Sequence, residues 1–209
     1  MKGPPAAEEV LMFVQVITGK ATDTEALRAR LQQWFEQLRP GADGWVGTTA
    51  GVADDGTFVA MAAFESEEAA RANSERAEQG QWWAATEPLI ENPHFMDSTD
   101  ARPWLGGPDP DAKFVQVMQG RVLDEEAAEA MMSSEMDAAV REARPDVIGG
   151  LVARHGDRFT QAVFFTDEAA AREGEKRMDE QGGGPGEEFD QALGDLTFTD
   201  LRDPWLYAP

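Results

Sequence analysis

The sequence predicts an α+β fold of two tandem βαββαβ repeats whose antiparallel sheets pack face to face as a pseudo-two-fold α+β barrel. Three observations carry this. First, the chain repeats itself at a spacing of about 101 residues. Phe13-Val14-Gln15-Val16-Ile17-Thr18-Gly19 returns as Phe114-Val115-Gln116-Val117-Met118-Gln119-Gly120, Phe64 through Arg71 returns as Phe165 through Arg172, and Pro103-Trp104-Leu105 returns as Pro204-Trp205-Leu206. Second, each copy alternates apolar runs of strand composition with amphipathic helical stretches in the order βαββαβ. Third, the strands predicted at 58–64 and 159–165 are apolar on both alternating faces, so each sheet needs cover on both sides, and the second copy supplies it. The turn formers Gly106-Gly107-Pro108-Asp109-Pro110-Asp111 separate the copies, giving repeats over 1–105 and 112–209 and a linker over 106–111.

In the first repeat, residues 11–18 are rich in β-branched and aromatic side chains and end at Gly19, which marks a strand. Asp23 or Thr22 caps the next element, and Leu27, Leu31, Trp34 or Phe35, and Leu38 recur at helical spacing, predicting a helix over 23–38 stopped by Pro40-Gly41. Residues 45–53 and 57–64 are two strands around the hairpin signal Asp54-Asp55-Gly56. Ser66 caps a second helix running to about Gln81 and continuing through Trp82, Trp83 and Leu89, until Asn92-Pro93 breaks it ahead of a short strand over 94–98. The second repeat follows suit: strand 113–119, helix 124–142, strands 147–154 and 158–165 around His155-Gly156-Asp157, helix 167–181 and strand 195–200. It departs at Gly182-Gly183-Gly184-Pro185-Gly186, which reads as a bulged helix end before a short helix over 187–193. The order βαββαβ is the ferredoxin-like split βαβ pattern.

Composition narrows the function. The chain of 209 residues carries 40 acidic against 18 basic side chains, a net charge of −22, which argues against nucleic acid and anionic membranes as partners. It has no cysteine and two histidines, His94 and His155, so thiolate chemistry is excluded and neither a multi-histidine metal centre nor any metal site is expected. No apolar run approaches the ~20 residues of a membrane helix, and the N-terminal segment lacks the apolar core of a signal peptide, so a cytoplasmic location is expected.

The tandem βαββαβ order, the aromatic-rich strands and the acidic-Glu-Ala-Ala opening of the second helix (Glu67-Glu68-Ala69-Ala70, Asp167-Glu168-Ala169-Ala170) resemble the dimeric α+β barrel superfamily, in particular its antibiotic biosynthesis monooxygenase-like branch in fused form. The resemblance spans roughly 11–105 and 112–206 and rests on architecture. It implies a choice among cofactor-free monooxygenases acting on polycyclic phenols, haem-degrading oxygenases and lactone isomerases, which fold alone does not make. It also implies a chain that forms by itself the barrel its shorter relatives build by dimerising, with higher homo-oligomers open.

Gln15, repeated as Gln116, is an amide inside an apolar strand, placed either to orient a substrate oxygen or to satisfy a neighbouring element. Trp34, Trp82 and Trp83 have no aromatic counterpart in the second repeat, which suggests a pocket for a small apolar aromatic molecule in the first repeat alone, against the alternative of core packing. His94 is a proton carrier by its ordinary pKa, or a polar surface residue, and through the resemblance a haem ligand. His155 reads as a solvated turn residue, and Trp104 and Trp205 as tails packing across the opposite repeat. The expected function is binding of an apolar aromatic molecule with cofactor-independent oxygenation (or a related isomerisation or cyclisation), the alternatives being a non-catalytic binding or stress-associated protein and a haem-binding or haem-degrading protein. Arg28, Arg30 or Arg102 would supply positive potential for an anionic intermediate.

Overall fold

The computed structural model describes residues 11–180 and 191–209. Its strands are β1 (Met12–Ala21), β2 (Trp45–Val52), β3 (Thr57–Phe64), β4 (Ile90–Trp104), β5 (Phe114–Val122), β6 (Val147–His155), β7 (Arg158–Phe165), β8 (Leu193–Leu201) and β9 (Trp205–Tyr207). The helices are α1 (Thr24–Gln33), α2 (Glu67–Ser74), α3 (Ala77–Thr86), α4 (Glu125–Met131), α5 (Ser134–Ala143) and α6 (Glu168–Glu180). The expected order is present in both repeats. Asp23, Ser66 and Asp124 cap α1, α2 and α4, each accepting a hydrogen bond from a backbone N–H of the first turn.

The strands form a single antiparallel sheet in the order β8-β5-β7-β6-β4-β1-β3-β2-β9. The two repeats are therefore joined edge to edge as well as face to face. The end of β4 crosses to β6, pairing Trp104 with Gly150, and β9 crosses back to β2, pairing Trp205 with Ala50. The two Pro-Trp-Leu tails are thus exchanged between repeats, as their pseudo-symmetry requires. The inner faces meet in one apolar cluster drawn from both copies, with Val14, Val16 and Met61 against Val117, Leu151 and Phe164. The helices cover the outer faces.

Four elements differ from expectation. The helix expected over 23–38 ends at Gln33, and residues 34–38 form a wider π-type turn that sets both Trp34 and Phe35 against Trp45. The second helix is broken between α2 and α3, where Arg76 leaves the helix and its guanidinium bonds the Leu38 carbonyl and Asn73 Oδ1, each at 3.0 Å. Residues 124–142 form two helices because Ser133 starts a new one by capping the Met136 N–H. The short strand over 94–98 is the middle of a 15-residue strand, since Asn92-Pro93 makes a bulge instead of a break. Opposite this bulge a Cβ on Gly19 would lie 2.4 Å from Ile90 Cγ2, and Gly120 faces Leu196 Cδ2 at 2.7 Å in the second repeat, which explains why glycine recurs there. The glycine-rich stretch and most of the short helix expected over 187–193 lie outside the described residues.

Candidate functional site

A cavity of about 510 Å³ lies between the first repeat's part of the sheet and its helices, within the size range of small-molecule pockets. Strand alternation decides what faces it. Phe13, Gln15 and Ile17 of β1 point outward into it, while Val14 and Val16 point into the barrel. The floor is apolar and buried, with Phe13, Phe58, Phe64 and Ile90 among its residues. The walls are aromatic, and each indole is fixed by its neighbours. Trp34 Nε1 donates to Gln79 Oε1 at 2.6 Å, Trp82 Nε1 donates to the Arg30 carbonyl at 2.8 Å, and Trp83 stands edge-on to Phe95 with centroids 5.3 Å apart. Tyr207 reaches the cavity on β9, so the second repeat completes a site that belongs mainly to the first. Burial raises the Tyr207 phenol above its ordinary pKa.

The structure brings Gln15, Trp34, Trp82 and Trp83 to this one cavity. It does not bring His94 there. His94 pairs with Thr18 and shares the strand face of Met96, whereas its neighbours Phe95 and Asp97 face the cavity. No histidine lines the cavity, so no imidazole is placed to ligate a haem iron in it. His155 is more than a solvated turn residue, because its Nδ1–H donates to the Asp97 carbonyl oxygen at 2.7 Å. Among the described residues, no cluster of three or more His, Asp or Glu side chains could hold a metal ion.

Three polar residues at the cavity were not singled out by sequence. Asp97, exposed at the rim, accepts a hydrogen bond from Gln15 Nε2 at 2.9 Å through Oδ1. A carboxylate only accepts, so the bonded atom of Gln15 is its nitrogen, and Oδ2 of Asp97 stays available. Asn73 is 6% exposed, and its Oδ1 accepts from Arg76 Nη1 at 3.0 Å. An arginine only donates, so the Asn73 Nδ2 donor is the group left without an acceptor among the described residues, on a residue that lines the cavity. Arg71, on α2, is the sole cation among the residues lining the cavity. The arginines expected to supply positive potential are engaged elsewhere: Arg28 with Asp203, Arg30 with Gln33, Thr86 and the Trp82 carbonyl, and Arg102 with Asp100 and Glu129. The spacing Phe95-Met96-Asp97 against Phe198-Thr199-Asp200 was the available signal for Asp97, being part of the repeat.

Solved structures share this fold along the whole chain. A monooxygenase candidate from Lactobacillus acidophilus NCFM matches with a TM-score of 0.70 at 10% identity, over 94% of this chain and 99% of that one. A second candidate, from Fusobacterium nucleatum, matches with a TM-score of 0.68 at 10% identity, over 95% of each chain. An anthrone oxidase-like protein matches with a TM-score of 0.61 at 10% identity, over 97% of this chain and 93% of that one. No protein-family model and no curated protein matches the sequence. The tandem ferredoxin-like barrel expected from the resemblance to the antibiotic biosynthesis monooxygenase-like branch is the fold this chain has.

Proposed function

We propose that the first repeat's cavity binds a planar, mainly apolar aromatic molecule and oxygenates it at an acidic C–H without a bound cofactor. The observation that carries this is the meeting, in one aromatic-walled cavity, of a carboxylate fixed by an amide (Asp97 with Gln15) and an amide with no acceptor for its Nδ2 among the described residues (Asn73). Asp97 is the base. Its free oxygen takes a proton from a carbon activated by a neighbouring carbonyl or phenol, the geometry that Gln15 maintains. The resulting negative charge resides largely on the substrate oxygen, where Asn73 Nδ2–H donates to it. The carbanion passes one electron to dioxygen and the two radicals combine, forming the C–O bond. The peroxide takes the proton back from Asp97 and then loses water across the C–O–O–H unit, so that a CH₂ group and O₂ become C=O and H₂O. No external reductant enters this balance. The likeness to monooxygenase candidates and to an anthrone oxidase-like protein supports oxygenation over the isomerisation and cyclisation that the same cavity would permit.

The test is oxygen uptake with anthrone as substrate, with the quinone product followed in parallel. The reading expects one O₂ consumed per quinone formed, and a rate lowered about a hundredfold or more in Asp97→Asn, the usual size of a lost general base. Tight binding of anthrone without oxygen uptake would favour the non-catalytic binding protein.

A further inference from the structure

The two repeats carry the same arginine on the same helix, facing the same aspartate and glutamine on the sheet. Register pairs Gln116 with Asp200 as it pairs Gln15 with Asp97, and Gln116 Nε2 donates to Asp200 Oδ1 at 3.0 Å. In the second repeat this set is closed. Arg172 bonds Asp200 directly, bonds Glu175 at 3.2 Å, and holds its guanidinium 5.2 Å from the centre of the Phe114 ring. In the first repeat the counterpart Arg71 is exposed and its guanidinium makes no hydrogen bond or ion pair with any described residue, Glu67, which stands where Glu168 does, lines the cavity without bonding it, and Asp97 pairs with no cation among the described residues. Position 175 corresponds to Ser74, so the second acid that steadies Arg172 is also missing. The space between Arg71 and Asp97 is the cavity.

We propose that the ligand of this cavity is an aromatic acid, and that Arg71 is the residue that selects it by pairing with its anionic group. This rests on the small-molecule reading above and names its substrate class. A guanidinium left unpaired beside an apolar cavity, in a chain of net charge −22, is a local exception to a field that repels anions, so it gives charge selectivity as well as affinity. The ligand's anion takes at Arg71 the role that Asp200 has for Arg172, and the fixed carboxylate of Asp97 repels that anion from the opposite wall. The acid end is thereby held toward α2 and the reacting carbon toward β4.

Quenching of tryptophan fluorescence by 9-anthracenecarboxylate, and by the neutral isostere 9-anthracenecarboxamide, tests this. The unaltered protein is expected to bind the acid about tenfold more tightly than the amide, the size of one hydrogen bond to a charged group. Arg71→Gln is expected to weaken the acid to the level of the amide and leave the amide unchanged, and Arg71→Lys to keep part of the preference. Equal binding of both probes by the unaltered protein, or a preference that survives in Arg71→Gln, would overturn the inference. Binding of neither probe would overturn the small-molecule reading and the inference with it. An Arg71-dependent preference without oxygen uptake on either anthrone or an anthrone carboxylate would leave the inference standing and remove only the oxygenation.

Discussion

The first repeat holds an open cavity where the second holds a closed ion pair, although both are built from the same strands and the same arginine, glutamine and aspartate. What differs is what surrounds them. In the first repeat the helical layer turns wide at 34–38 and brings in tryptophans, while Arg71 stays unpaired. In the second, Glu168, Glu175 and Asp200 gather around Arg172. A duplicated unit thus keeps its framework in both copies, and among the described residues its arginine and aspartate bond each other in one copy and line a cavity in the other. The same arginine, glutamine and aspartate serve two arrangements, and the residues around them decide which one forms.

The largest effect that would break the comparison is on stability. Trp205 is 3% exposed and packs with Leu27 and Phe58 under the first repeat's helices, so Trp205→Ala is expected to lose about 3–5 kcal/mol in urea denaturation. Its partner in pseudo-symmetry, Trp104, buries an indole N–H without an acceptor. Trp104→Phe is therefore expected to be neutral or stabilising, by at most about 1–2 kcal/mol. Losses of equal size in Trp205→Ala and Trp104→Ala would show that the tails are equivalent after all.

Next is the aspartate pair. Asp97→Asn is expected to lower oxygen uptake by about 2.7 kcal/mol or more of barrier and to leave the melting temperature unchanged. Asp200→Asn is expected to leave the rate alone and lower stability, because Arg172 then loses its main partner. The arginine pair sharpens this. Arg172→Ala is expected to lose about 1 kcal/mol, a modest figure because the pair is partly open to solvent, against about 0.5 kcal/mol or less for Arg71→Ala, both read from urea midpoints.

The smallest effect lies where the repeats agree. Each hairpin is clasped by a cation on the first strand of its repeat: Lys20 with Asp55, and Arg121 with Asp157. Hydrogen bonds from Lys20 and Thr57 lower Asp55 to about 2, from an ordinary value of 3.8. A lowered carboxylate stabilises the fold above its unfolded pKa, and that contribution fades as pH falls through the folded value. The stability gap between the unaltered protein and Asp55→Asn is thus expected to be constant above pH 5 and to close between about pH 4 and 2. Exposure of the pair keeps it to about 0.5 kcal/mol. Denaturation midpoints across that range check it, and a gap that widens on acidification would contradict the assignment.

The fold was legible because its signals are local and occur twice. Capping residues, hairpin turns and the glycines opposite each bulge sit at matching positions in both copies. Gln15, Trp34, Trp82 and Trp83 were legible as well, the first as a polar interruption and the tryptophans as an asymmetry. His94 was read as a proton carrier from its chemistry alone, and one step of strand alternation separates it from the cavity that Phe95 and Asp97 face. Arg71 is an exposed helix residue like many others, and nothing in its own repeat shows that its counterpart is clamped. Tyr207 enters from the far end of the chain by strand exchange, a long-range pairing that no local pattern encodes. The helix break at Arg76 depends on the Leu38 carbonyl, which is equally distant in sequence.

If the open half alone takes a ligand, calorimetric titration with 9-anthracenecarboxylate reads it as the number of sites per chain. One site is the predicted result. Two sites of similar affinity would show that the second repeat is not closed and would contradict the claim.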